Sequence, residues 1–98
     1  MGLLTAFVMT IGLSSMNCAA LATFSEMIAI DRDGGVPQSQ EEVKVDSLLM
    51  QNHIFNPNNS ALLRLVVRNV YVSDASLDPT TIHDGVFKNC EEYIGGGK

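Results

Sequence analysis

Residues 62–72 read LLRLVVRNVYV, a run of leucine and valine interrupted by two arginines. Leu63, Leu65 and Val67 fall on alternate positions, with Arg64 and Arg68 on the opposite parity. Branched side chains of this kind suit a pleated, half-buried backbone, so the stretch is expected to be the central strand of a sheet.

The flanks extend that reading in both directions. Ser73-Asp74-Ala75-Ser76 breaks the run, Pro79 marks an irregular link, and Thr80 to Phe87 is expected to return as a strand interrupted by the hairpin-type pair Asp84-Gly85. Glu91-Glu92-Tyr93-Ile94 adds a last short strand before the tail 95–98. On the N-terminal side, Asn56-Pro57-Asn58-Asn59-Ser60 has loop chemistry. Before it, Val43 and Val45 alternate with Lys44 and Asp46, and Leu48-Leu49-Met50 runs on to Ile54-Phe55. Residues 43–94 therefore read as a small antiparallel β-sandwich-like domain of several short strands. Asp31-Arg32-Asp33-Gly34-Gly35-Val36-Pro37 opens a linker, 31–42, because paired glycines and a proline end helical structure.

Residues 3–30, LLTAFVMTIGLSSMNCAALATFSEMIAI, carry no charge before Glu26 and make a helix about 40 Å long at 1.5 Å per residue. Residues 1–30 are expected to be a transmembrane or filament-core helix, and the fold class is α+β. Gly12, Ser15, Ala19 and Thr23 are small residues sharing one helical face, on which a second helix could approach closely. Met9, Leu13, Met16, Ala20, Phe24 and Met27 form a second stripe at the seam spacing of packed helices. Asn17 would need a partner from another helix. A cleavable leader competes with this reading, since Ala20-Leu21-Ala22 supplies a small-x-small step with Thr23 as the next residue.

The chain has six basic and eleven acidic residues, a net charge of −5, so a phosphate-neutralising surface and a nucleic-acid partner are not expected. Its two cysteines, Cys18 and Cys90, fall one in each half and are expected to remain free thiols. Enzymatic chemistry is thinly supplied. His53 and His83 are the only imidazoles, and Cys90 precedes two glutamates that disfavour a thiolate. Asp31, Asp33 and Glu42 sit at positions one, three and twelve of a calcium-type loop, but Val36 occupies the place that needs glycine. Neither a metal nor a cofactor is expected. Asn58-Asn59-Ser60 is the only glycosylation sequon, with Asn58 as acceptor.

The stretch 61–87, ALLRLVVRNVYVSDASLDPTTIHDGVF, is similar to the β-sandwich domains of archaeal type IV pilin-like proteins, including archaellum-related ones. Leu65-Val66-Val67-Arg68-Asn69-Val70, then Leu77-Asp78-Pro79, then Ile82 and Asp84-Gly85 follow that family's order. The resemblance implies an N-terminal helix that bundles with its copies or holds the subunit in a membrane, and an outward-facing, often glycosylated β domain. About sixty residues of sheet without disulfide or metal is also near the lower limit for independent stability, which favours assembly.

The function expected from this reading is that of a non-enzymatic structural subunit of a surface filament. It would polymerise with copies of itself through the N-terminal helix, with the C-terminal domain outside the cell. A single-span accessory subunit of a membrane complex is the alternative.

Overall fold

The computed structural model describes residues 16–96. Among these residues four α-helices run in chain order: α1 Cys18–Asp33, α2 Gln38–Gln51, α3 Pro57–Arg68, continued by a π-helical turn Asn69–Ser73, and α4 Pro79–Gly96. Among the described residues there is no strand, so the expected α+β class and the β-sandwich give way to an all-helical fold. The expected central strand is α3 and the π turn.

The reason lies in which residues are buried. In α3 and the turn these are Asn59, Leu62, Leu63, Val66, Val67, Asn69 and Val70. They recur at steps of three and four, the period of a helix with one face inward. Valine costs only a few tenths of a kcal/mol relative to alanine in a helix, whereas burying each large apolar side chain contributes about 2 kcal/mol. Packing therefore overrides strand propensity. Arg64 and Arg68, four apart, share the outer face of a helix as readily as that of a strand.

Capping is written into the same region. Asn56 caps α3, its side chain accepting from the Asn59 N–H at 2.8 Å, and Pro57 follows at the first helical position. The loop expected at 56–60 is thus the start of a helix.

Two helices end in the same way with different residues. At the end of α1, the Gly35 N–H donates to the Arg32 carbonyl and the Val36 N–H to the Asp31 carbonyl, with Gly35 at φ 95°. At the end of α2, the His53 N–H donates to Met50 and the Ile54 N–H to Leu49, with His53 at φ 60°. Both are Schellman caps, which need a left-handed residue after the helix. The first was legible in Gly34-Gly35. The second was hidden, because a histidine occupies the left-handed position.

The core is one cluster. It joins Leu21, Ala22, Phe24, Ile28 and Ala29 of α1, Val45 and Leu49 of α2, the apolar face of α3, and Ile82, Val86 and Cys90 of α4. α1 is central: it lies along α4 over the most extended contact in the molecule and also meets α2, α3 and the π turn. α2 packs on α3. That pair is tied by Asp46, which accepts from the Ser60 hydroxyl at 2.6 Å and from Arg64 at 2.7 Å. The Ser60 hydroxyl, with Arg64 behind it, keeps the Asp46 carboxyl below the usual carboxylate range.

The two cysteines are bonded to each other. Cys18 at the start of α1 and Cys90 near the end of α4 form a disulfide with Cα atoms 5.5 Å apart across a sequence separation of 72. Free thiols were expected because a cysteine inside a long apolar helix seemed badly placed to reach the far terminus. α1 begins at Cys18 and α4 lies along it, so the pair meets.

Candidate functional site

The N-terminal half of α1 presents a groove to the surface. Its lining is Ala19, Ala20, Thr23, Phe24 and Met27 from α1, with Asn52 and Ile54 from the turn after α2, and it encloses 490 Å³. Small residues make the space. Ala19 and Thr23 are exposed and one turn apart, so on that side α1 itself sets only small side chains beside Phe24 and Met27. The opposite wall exists because of the α2 cap: His53, turning left-handed, brings Ile54 back toward the core. Asn52 is held by its own helix, its side-chain amide donating to the Leu48 carbonyl at 2.8 Å. Among the described residues that line the groove, none is ionisable.

The expected helix-packing residues divide accordingly. Ala19, Thr23 and Phe24 line this groove, with Phe24 mostly buried beneath it. Met16 is in the core cluster. Asn17 needs no neighbouring helix: it is the N-cap of α1, its side chain accepting from the Ala20 N–H at 2.8 Å. Met9, Gly12, Leu13 and Ser15 lie outside the described residues. Asn58, the sequon asparagine, is exposed in the first turn of α3, while Asn59 beside it is buried and donates to the Ile54 carbonyl at 2.7 Å.

Asn52 and Ile54 were not legible as site residues. They had been assigned to strand structure, and only the neighbouring Schellman cap explains their place.

The expected membrane helix is overturned on its described part. α1 has 16 residues, contains Glu26, Asp31, Arg32 and Asp33, and starts at a hydrogen-bonded cap. Among the described residues no helix is long and apolar enough to cross a membrane. A membrane anchor therefore loses its support, and with it the expected placement of the chain at a membrane.

A second distinctive region lies at the other end of α1. Arg32, nearly buried, donates to the Val70 carbonyl at 2.9 Å, the Asp74 carbonyl at 3.2 Å and the Leu77 carbonyl. These acceptors become available because the π turn and the bend after it leave carbonyls without helical partners. Arg32 also pairs with Asp33 at 2.9 Å, and Asp31 with Lys44 at 2.7 Å. Two acids of the supposed calcium loop, Asp31 and Asp33, are thus spent on ion pairs, and the third, Glu42, accepts from the Gln38 side-chain amide at 3.1 Å.

Glu41, in the first turn of α2, is wholly buried, and neither of its carboxylate oxygens has a hydrogen-bonding partner at bonding distance. Burial pushes its carboxyl up to about 7, and the neighbouring Asp31 adds to the rise while Lys44 opposes it. Tyr71 closes the corner, donating its hydroxyl to the Val36 carbonyl at 2.7 Å, and burial raises it to about 12. The Asp31 carboxylate holds the Lys44 ammonium above its ordinary value. No solvent reaches Glu41, so this corner is internal and structural.

No protein-family model, curated protein or solved structure matches this chain.

Proposed function

We propose that the chain is a small, non-enzymatic binding domain of an oxidising compartment, and that the α1 groove receives an apolar ligand. The groove itself is the observation that carries this reading. Its 490 Å³ falls within the range of small-molecule sites, and its lining is apolar apart from Thr23 and Asn52. The described residues that line the groove include no acid, base or thiol, a lining suited to recognition and not to proton transfer. The disulfide supports the compartment, because such bonds persist where thiols are not kept reduced. The ligand class that fits is a neutral, largely hydrocarbon molecule with one hydrogen-bonding end for Thr23 or Asn52.

Titration of isotope-labelled protein with 1-decanol, followed by NMR, tests this. Saturable shifts are expected at Ala19, Ala20, Thr23, Met27 and Ile54, and they should be lost in Thr23→Trp, which fills the groove from an exposed position. Shifts scattered over the surface, or unchanged in Thr23→Trp, would reject the ligand.

The filament expected from sequence keeps one supporting feature. Ala19 and Thr23 of the small-residue face are exposed, and Met50 and Phe55 near the groove are exposed as well. A second copy seated on α1 would use those residues. Sedimentation velocity separates the two readings, since self-association weakened by Thr23→Trp would make the occupant another copy of the chain.

A further inference from the structure

We propose that Asn58 carries an N-linked oligosaccharide, attached while residues 58–60 are still extended and before α3 forms. The proposal rests on the oxidising-compartment half of the function proposed above, and not on the groove.

Asn58-Asn59-Ser60 is the only Asn-x-Ser/Thr triplet in the chain, and its middle residue is not proline. The fold sorts the asparagines around it. Asn56 is spent on the cap of α3, accepting from the Asn59 N–H at 2.8 Å. Asn59 is wholly buried, and its side-chain amide donates to the Ile54 carbonyl at 2.7 Å. Of the three only Asn58 is exposed, so a bulky polar group on its amide displaces nothing from the core. The Cys18–Cys90 disulfide puts the chain in the kind of compartment, outside the reducing cytosol, where such sugars are added.

The helix sets the order of events. A transferase must read the asparagine amide and the hydroxyl two residues on at the same time. In an extended chain these two positions lie on one face, whereas on a helix they point about 200° apart. In the fold the Ser60 hydroxyl is also engaged, donating to Asp46 at 2.6 Å across the α2–α3 seam. Asn58 and Ser60 are therefore readable together only before α3 closes on α2. The helix can still form afterwards, because Asn58 is not one of its buried residues Asn59, Leu62, Leu63, Val66 and Val67.

The step is a glycosyl transfer, and its co-reactant is an oligosaccharide held on a polyprenyl pyrophosphate. The Asn58 Nδ2 atom bonds to C1 of the first sugar, and the bond from C1 to the pyrophosphate oxygen breaks. The lipid pyrophosphate leaves with that electron pair, and one amide proton passes to a base of the transferase. Nothing is oxidised or reduced.

The full chain, secreted from eukaryotic cells behind an added leader, tests the site by intact mass. The expected product is heavier than its sequence requires and loses the excess to peptide N-glycosidase, which leaves aspartate at position 58. Asn58→Gln and Ser60→Ala should each abolish the modification, and Ser60→Thr should keep it. A secreted wild-type chain without sugar, or sugar that persists in Asn58→Gln, overturns the site. Thiol alkylation of the same sample keeps the two readings apart. A sugar-free chain with its disulfide formed overturns the glycan alone, and a sugar-free chain with reactive thiols overturns the compartment as well.

Purified transferase with a lipid-linked donor tests the order. The unglycosylated full chain, folded and oxidised, is compared with Leu63→Asp, which puts an unpaired charge in the core and is checked as unfolded by circular dichroism. Transfer to the unfolded variant should be roughly tenfold faster or more, because the folded chain must first open locally. Equal rates on the two chains overturn the order.

Discussion

At its N-terminal end α1 is held covalently, with Cys18 bonded to Cys90 and Leu21 in the same core as Ile82, Val86 and Cys90 of α4. At its C-terminal end the same helix is held by polar groups: Arg32 on three carbonyls, Asp31 on Lys44, and the buried Glu41 beside them. The first end depends on redox state and is indifferent to pH. The second is indifferent to redox state and depends on pH. The groove belongs to the covalent end, so a surface open to ligand is backed by a bond that does not fray.

Reducing the disulfide should have the largest effect. Opening a loop of 72 residues removes a chain-entropy constraint on the unfolded state of about 4 kcal/mol. Against a total stability of about 5–15 kcal/mol, this should lower the melting temperature by tens of degrees. Differential scanning calorimetry with and without reductant measures it, and Cys18→Ser with Cys90→Ser should match the reduced wild type. A small shift would mean that the α1–α4 seam holds by packing alone.

Breaking the polar end should cost somewhat less. Arg32→Ala strips three carbonyls of their donor in a nearly buried place, a loss of about 3 kcal/mol by urea denaturation. Arg32→Met, which keeps most of the aliphatic packing, should lose nearly as much, because the carbonyls remain unpaired. If Met restores the wild type, the contribution is packing and not hydrogen bonding.

The comparison also separates what could be read in the sequence from what could not. The end of α1 was legible, since Gly34-Gly35-Val36-Pro37 cannot continue a helix, and the chain does turn at Gly35. The state of 62–72 was not, because Arg64 and Arg68 fit both periods and the run is dense in valine. The deciding signal was Asn59-x-x-Leu62-Leu63-x-x-Val66-Val67-x-x-Val70, a three-and-four recurrence anchored by an asparagine cap at Asn56. Asp84-Gly85 misled in a similar way. In a strand it would turn the chain, but here Ile82, Val86 and Cys90 at steps of four bury one face of α4 and carry the pair through as helix. Helical spacing, which is local, picks out Ala19, Thr23 and Phe24 as helix-packing residues, but does not show that they line a groove. Asn52, Ile54, Arg32 and Glu41 were not legible, because their roles depend on contacts far apart in sequence.

The pH dependence of the polar end follows from Glu41. Its carboxyl titrates near 7 in the fold and near 4.5 when exposed, so the native state holds the proton more tightly. The groups facing it are Asp31 of α1, Lys44 of its own helix, and Tyr71 of the π turn. Stability from this group is complete below about 4.5, declines as pH rises, and is lost above about 7. Asp46, held low by Ser60 and Arg64, and Asp78, held low by the Thr81 hydroxyl and N–H, act with the opposite sign. Their contribution is lost only as pH falls through their lowered values. Chemical denaturation from pH 4.5 to 8 should therefore show a fall of about 2 kcal/mol in the wild type. Glu41→Gln should flatten the curve and be the more stable protein at pH 8. An unchanged slope would move the titrating group elsewhere.

The smallest effect sharpens the contrast by being independent of both ends. Gly85 sits in α4, and a Cβ built there meets nothing within 4 Å, with no positive φ to demand glycine. Gly85→Ala should stabilise the protein by about 0.5–1 kcal/mol, because alanine loses less backbone freedom on entering a helix. That gain acts through the unfolded chain and the local helix, so it should be equal in the oxidised and the reduced protein and equal at pH 5 and pH 8. A gain that grows on reduction would show that α4 frays when the Cys18–Cys90 bond opens. The covalent end would then be holding the helix itself as well as its position against α1.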